Sequence, residues 1–161
     1  MRRSLTRFLQ AIVVLIGIGV LALLLWEPTL EGRNVGATLS QIYFNDPFLA
    51  YLYLAFVPFF IGLYKTIKAL GYAGENKTAS PAAVKALRSI RYCALVMAGF
   101  IVGAEIWLGV FERTTDDIAG GVAVGMLILI FCAASASVAA LFERAARNVL
   151  RTSGRRSTDT N

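Results

Sequence analysis

The fold is decided by the stretch IAGGVAVGMLILIFCAASASVAALF, residues 118–142, which runs for 25 residues without a charged side chain. A helix rises 1.5 Å per residue, so crossing a hydrocarbon core of about 30 Å takes roughly 20 apolar residues. Three more apolar runs of crossing length occupy residues 8–26, 48–64 and 92–111. In a chain of 161 residues, too little polar sequence remains to cover four such helices with a water-facing layer. The sequence therefore predicts an all-α integral membrane protein built as a four-helix bundle.

The domain organisation follows from the breaks between these runs. We predict one four-span domain over residues 1–151, with helices at about 8–26, 47–64, 81–111 and 117–142, the third entering the membrane at about residue 92. Asn45 or Asp46 followed by Pro47 is typical of a helix start, and so is Ser80 followed by Pro81. Residues 112–117 are expected to form a tight turn, and the polar tail, residues 152–161, is expected to be disordered.

The first apolar run has two interpretations. Three arginines precede it, as in a cleavable signal peptide. However, the run is longer than the usual signal core and ends in Trp26, Glu27 and Pro28 where a cleavage site would have small residues. We therefore interpret it as a retained membrane anchor.

The positive charges predict which side of the membrane each end occupies. Of sixteen Lys and Arg residues, three precede the first helix, six lie in residues 65–91 and five follow the fourth helix. The other two are Arg33 and Arg113. Because cytoplasmic loops carry an excess of Lys and Arg, both termini and the 65–91 loop are expected in the cytoplasm. These cations flank membrane helices without a base-stacking pattern, which favours contact with the lipid bilayer and no direct binding of nucleic acid.

The composition also excludes several kinds of functional site. The chain has no His, so haem ligation by imidazole is excluded, and its two cysteines, Cys93 and Cys132, are far from a Cys-x-x-Cys spacing. Gly17 and Gly19 lack the rest of a nucleotide-binding motif and lie inside an apolar span. Since the sequence also has no nucleophile–base pair, metal cluster or phosphate loop, we expect no cofactor, no metal and no enzymatic activity.

Glu105 is a carboxylic acid inside the third apolar run, where an ionised side chain costs at least about 2.5–3.5 kcal/mol. By helical rise it lies at the depth of Tyr53, Leu54 and Gly125, and Pro58 leaves the Leu54 carbonyl without its helical donor. We predict an intramembrane polar site in which protonated Glu105 hydrogen-bonds the Leu54 carbonyl or the Tyr53 hydroxyl. The alternative is that such a hydrogen bond only stabilises the packing of two helices.

Small residues in the third and fourth helices are candidates for close helix packing. They recur every four residues and are Gly99, Gly103, Gly121 and Gly125. The spacing does not distinguish packing within one chain from packing in a homodimer.

A basic surface is predicted in the 65–91 loop and the start of the third helix. Its cations are Lys77, Lys85, Arg88 and Arg91. Apolar and basic residues take different sides of this segment, which fits a helix at the lipid head groups or one that binds a soluble partner.

Several motifs together resemble a known family. They are Tyr43-Phe44-Asn45-Asp46-Pro47-Phe48-Leu49, Gly71-Tyr72, Ser80, Lys85-Ala86-Leu87-Arg88, Tyr92-Cys93 and Gly103-Ala104-Glu105. The chain resembles a domain-of-unknown-function family of small bacterial four-span inner-membrane proteins, often encoded beside a Cro-type helix-turn-helix regulator. The resemblance extends from the first helix to about Leu150. It implies a bacterial plasma membrane and a regulatory role, and it supplies no catalytic residue.

Two functions remain. The first is a non-enzymatic regulatory protein whose basic cytoplasmic loop and tail bind a soluble partner, for which the resemblance suggests a transcription regulator. The alternative is a small proton-coupled exporter that works as a dimer through Glu105. Known small exporters of this kind have their carboxylate in the first helix, whereas here it is in the third, and no second polar group lines a path.

Overall fold

A computed structural model of the chain describes residues 3–30, 47–111 and 118–158. These residues form four long helices: α1, Arg3–Leu30; α2, Pro47–Gly74; α3, Pro81–Phe111; and α4, Ile118–Thr158. The described ranges contain no strand. Each helix is long and apolar enough to cross a membrane, so the predicted all-α, four-span architecture is confirmed. The caps expected at Asn45 and Asp46 and the turn expected at residues 112–117 lie outside the described residues.

Three helices extend beyond their predicted bounds. α1 covers Arg3–Leu30, where the sequence predicts a helix at about 8–26. α2 continues beyond Tyr64 to Gly74, and α4 continues to Thr158. The prediction of a disordered tail is therefore wrong for residues 152–158, because no proline follows Pro81 and the helix continues without interruption. At 1.5 Å per residue, the 41 residues of α4 measure about 61 Å, roughly twice the thickness of a hydrocarbon core.

The predicted start of α3 is confirmed by its hydrogen bonds. The Ser80 hydroxyl accepts a hydrogen bond from the Ala83 amide at 3.1 Å, and the Ser80 carbonyl accepts one from the Val84 amide at 3.0 Å. Pro81 occupies the first helical position, where its missing N–H costs nothing. Ser80 therefore caps the helix as its residue type predicts.

The end of α2 is a Schellman motif. The Lys77 amide donates to the Tyr72 carbonyl at 2.8 Å, and the Asn76 amide donates to the Ala73 carbonyl at 3.3 Å. Between them Asn76 has a φ of 57°, in the left-handed region that Asn tolerates better than most residues. This turn reverses the chain from α2 into α3 within six residues, 75–80.

Consecutive helices pack against each other in antiparallel pairs, and the α3–α4 interface is the most extensive. Met97 and Ile101 of α3 and Cys132 of α4 form the buried core, and Phe56 and Phe59 of α2 pack against it.

α1 packs chiefly on α2 and leaves large apolar side chains exposed. Leu15 and Leu23 keep 66% and 68% of their surface accessible. Apolar exposure on this scale fits a helix whose outer face is covered by lipid.

Candidate functional site

One end of the bundle carries most of the positive charge, and we call it the basic end. It contains the first turns of α1, the α2–α3 connection and the C-terminal part of α4. At this end the carboxylate of Glu143 on α4 is buried, with 1% of the residue's surface exposed. A charged side chain is almost never buried to this extent without partners.

Glu143 is surrounded by three arginines, which with it form the Glu143 cluster. The Arg88 Nε donates a hydrogen bond to Oε1 of Glu143 at 3.2 Å, and the Arg147 guanidinium contacts the same oxygen. The Arg91 Nη1 lies 3.2 Å from Oε2 as an ion pair. Two of these arginines belong to α3 and the third to α4, so the cluster joins the basic ends of both helices.

The spacing of residues along the two helices explains this geometry. From Cys132 onward the buried positions of α4 recur every three or four residues, and they are Cys132, Ala136, Ala139, Glu143 and Ala146. Glu143 therefore continues the face that packs on α3. Arg88 and Arg91 lie one turn apart on α3, and Arg147 lies one turn beyond Glu143 on α4, so all three reach the same carboxylate.

The charges of the cluster do not balance. Three guanidinium groups surround one carboxylate, and the arginine side chains remain 49%, 28% and 39% exposed for Arg88, Arg91 and Arg147, whereas the Glu143 side chain is 2% exposed. The excess positive charge thus faces outward while the negative charge is inside. The carboxylate is already in ion pairs and is shielded from water, so it is poorly placed to act as an acid or a base. The cluster is better suited to hold α3 and α4 together and to expose positive charge at the surface.

The predicted intramembrane polar site has a different arrangement. The Tyr53 hydroxyl donates to the Leu24 carbonyl of α1 at 2.9 Å, and Leu54 is 56% exposed. The Glu105 carboxylate lies against Gly125 of α4, where an added methyl group would collide with it. Among the described residues Glu105 has no hydrogen bond or ion pair, so its expected bond to Tyr53 or Leu54 is not formed.

The physical reason is that depth along a helix does not determine rotation about its axis. Helical rise placed Glu105 at the level of Gly125, but the side chain points to α4 and not to α2. Pro58 lies inside α2. A different tyrosine joins α2 to α3: the Tyr51 hydroxyl donates a hydrogen bond to the Phe100 carbonyl at 2.8 Å. The protonation of Glu105 stays a prediction.

Three of the four candidate packing glycines lie at helix contacts. Gly103 faces the Tyr51 hydroxyl, Gly121 faces Leu108 and Gly125 faces Glu105. Gly99 differs, since a Cβ placed on it would meet no described atom within 4 Å. Its small size is therefore not needed for packing within the described part of the chain.

Most cations of the predicted basic surface form ion pairs. Lys77 lies 2.9 Å from Oε2 of Glu75, and Arg88 and Arg91 belong to the Glu143 cluster. Lys85 is exposed as expected. Sequence reasoning missed Glu143 because it follows directly after an uncharged run and looks like a residue at a membrane boundary. The signal that could have found it is its place in the regular spacing of small residues that begins at Cys132.

With this geometry described, comparison with known proteins identifies the family. The pattern described as "Protein of unknown function (DUF2975)" matches residues 37–153, well over half of the chain. The chain belongs to the DUF2975 family. This DUF2975 protein is also 32% identical, over 146 residues, to the "Uncharacterized membrane protein YoaS" of Bacillus subtilis (strain 168), an alignment that covers 89% of the chain and 90% of YoaS. No solved structure matches it.

These likenesses confirm the predicted resemblance and the membrane class. The matched region of the DUF2975 protein contains α2, α3 and most of α4, and therefore the whole Glu143 cluster. Nothing in the family description or in the name of YoaS points to catalysis. The DUF2975 protein is thus a multi-pass membrane protein whose most distinctive buried polar group is Glu143.

Proposed function

We propose that this protein is a non-enzymatic regulator of the bacterial plasma membrane that binds a soluble protein at its basic end. The observation that carries the proposal is the α3–α4 hairpin, which continues beyond the thickness of a hydrocarbon core and is fastened there by the Glu143 cluster. The distribution of Lys and Arg supports a cytoplasmic location for this end, with both termini inside the cell.

The binding surface in this proposal is the helical platform, defined as residues 81–91 of α3 and 143–152 of α4. From Glu105 to Arg88 the rise is about 26 Å, so the platform lies at the far side of the membrane from the level of Glu105. Its outer surface carries the exposed cations Lys85, Arg144 and Arg151. A positively charged helical surface favours a partner with an acidic face. The family resemblance suggests a transcription regulator for this role.

Crosslinking tests the platform directly. A photocrosslinker at Asn148, an exposed position of the platform, is expected to capture a cytoplasmic protein in native membranes. The double variant Lys85→Glu/Arg151→Glu, carrying the same crosslinker, is expected to reduce capture about tenfold through charge repulsion. Lys68→Glu on α2 is the matched control, because Lys68 is an exposed cation at the same end but outside the platform. Expression of the gene adjacent to this one should change in the double variant and not in the control. Failure of capture, with unchanged expression on deletion, would refute the proposal.

The orientation has its own test. A reporter enzyme that is active in the cytoplasm, fused after Asn161, is expected to be active, and one that is active outside the cytoplasm is expected to be silent. The opposite pattern would place the platform outside the cell and would exclude a cytoplasmic partner.

Glu105 supports a second candidate, a proton-coupled exporter working as a dimer. The specific observation is that this carboxyl group lies in a membrane span, against Gly125, with no hydrogen bond or ion pair in the described part of the chain. Intramembrane carboxyl groups mark proton and ion pathways in many transporters. In reconstituted vesicles, adding a lipophilic cation such as tetraphenylphosphonium should release protons from the wild type but not from Glu105→Gln, while Glu75→Gln should behave as the wild type. If the wild type releases no protons, the exporter function is refuted.

A further inference from the structure

A groove of about 660 Å³ lies at the basic end, between the first turns of α1 and the last turns of α2. Its volume is within the range of small-molecule sites. It is distinct from the Glu143 cluster, since its lining comes from α1, α2 and the α2–α3 connection. The lining residues are Arg3, Thr6, Arg7, Gln10, Gly71, Gly74, Glu75 and Lys77.

The spacing of the lining residues builds one wall from each helix. On α1 the four lining residues recur at intervals of three, one and three, which places them on one face. On α2 the wall is made by Gly71 and Gly74, whose lack of a side chain lets α1 approach. A Cβ on Gly74 would lie 2.8 Å from the Thr6 hydroxyl, so this close approach requires glycine.

The groove has an excess of positive charge. Glu75 and Lys77 form an ion pair at 2.9 Å, and the hydrogen bond and charge of Lys77, with a smaller contribution from Arg3, hold the pKa of Glu75 below its usual value. The carboxylate is thus mainly satisfied by Lys77. Neither Arg3 nor Arg7 forms an ion pair with a described residue, and both side chains are exposed. Two guanidinium groups therefore remain available to an anion.

A buried hydroxyl in the groove also lacks a partner. Thr6 is 5% exposed, and its Oγ1 has no hydrogen bond within the described residues. Nearly all buried polar groups in proteins are hydrogen-bonded, so an unpaired one calls for an explanation. Next to it, the Gln10 amide donates one hydrogen to the Ile67 carbonyl at 3.0 Å and has a second hydrogen to offer. These donors, together with the two arginines, suit an oxygen-rich anion.

We propose that this groove binds the phosphate group of an anionic phospholipid. Arginine forks bind phosphate in a bidentate manner, and the Thr6 hydroxyl supplies a further donor. A lipid is favoured over a soluble phosphate because α1 also exposes Leu5 and Phe8, at 47% and 63%, directly beside the lining residues in sequence, where acyl chains can cover them. Basic pockets between helices at the membrane boundary commonly hold lipid head groups.

Native mass spectrometry of the full chain in neutral detergent tests the site. Phosphatidylglycerol is expected to bind about tenfold more tightly than phosphatidylcholine, which has a phosphate but no net charge. Arg3→Gln/Arg7→Gln should abolish this preference. Thr6→Val, which keeps the side-chain size, should weaken phosphatidylglycerol binding by roughly threefold. The matched control Lys65→Gln/Lys68→Gln removes two cations of α2 at the same end but outside the groove, and should stay within about twofold of the wild type.

Each result decides for or against the groove. Unchanged phosphatidylglycerol binding in both Arg3→Gln/Arg7→Gln and Thr6→Val, or an equal loss in the control, would overturn the proposal. If the arginine variant loses its helical circular dichroism, Thr6→Val alone carries the test. If millimolar inorganic phosphate displaces the lipid, the ligand is a soluble phosphate and the lipid assignment is wrong. Because the crosslinking of the helical platform does not use Arg3, Thr6 or Arg7, the two proposals fail independently.

Discussion

The Nη1 atom of Arg91 on α3 lies 3.2 Å from Oε2 of Glu143 on α4, and this ion pair closes the basic end of the α3–α4 hairpin. The carboxylate is shielded from water while the guanidinium is partly exposed. Arg88 and Arg147 contact the same carboxylate. The link between α3 and α4 therefore depends on Glu143 more than on any single arginine.

Glu143→Gln is expected to destabilise the protein by about 1–3 kcal/mol, because the three arginines lose the buried charge that they share. Partial exposure of the arginines keeps the cost below that of a fully buried pair. Thermal and denaturant unfolding in detergent measures the change. Arg144→Gln, at the exposed neighbouring position, should stay within about 0.5 kcal/mol of the wild type. Equal stability of the two variants would contradict the role given to the cluster.

Gly125→Ala should be destabilising, by about 1–3 kcal/mol, since its methyl group would collide with the Glu105 carboxylate. The control is Gly99→Ala, where a Cβ meets no described atom and the helix propensity of Ala favours a neutral or stabilising effect. Combining Gly125→Ala with Glu105→Ala should restore much of the loss, because the colliding group is gone. Additive costs in the double variant would show that the two residues are not in contact.

Ser80→Ala should lower stability by about 1 kcal/mol, because the amide of Ala83 loses its acceptor at the start of α3. Hydrogen exchange at residues 82–84 is expected to accelerate. Ser89→Ala provides the comparison, since the Ser89 hydroxyl donates to the Lys85 carbonyl inside the same helix and caps nothing. The prediction is wrong if exchange at the helix start is the same in both variants.

Asn76→Ala should cost about 1 kcal/mol, because alanine tolerates the left-handed φ of 57° poorly. Asn76→Gly removes the same side chain but accepts this conformation, and should be close to neutral. Unfolding measurements on the two variants separate the conformational effect from the loss of side-chain contacts. A large cost in both would indicate that the Asn76 side chain itself stabilises the turn.

Much of the fold could be predicted because the hydrophobic signal of a membrane span is local. The run from residue 118 to 142 needs no knowledge of its neighbours to predict a helix, and Ser80-Pro81 predicts a helix start from two residues. The continuation of α4 to Thr158 was missed, since beyond Phe142 composition stops resembling a span while nothing in the sequence ends the helix.

The polar contacts were harder to predict because they depend on how helices are rotated and on which ones are neighbours. The depth of Glu105 predicted its level at Gly125, but its expected bonding to α2 required a rotation that the structure does not have. The sequence predicts Arg88 and Arg91 as surface charges, because their partner, Glu143, lies more than 50 residues away in sequence. A buried pair between distant segments leaves no local pattern.

The distance between two contacts that join α3 and α4 has a mechanical consequence. Glu105 meets Gly125 near one end, and about 26 Å away Glu143 is held by Arg88 and Arg91 at the other. Sliding one helix along the other by a turn would break both contacts together. Two contacts this far apart therefore oppose sliding between α3 and α4 and favour movement of the two helices as one unit.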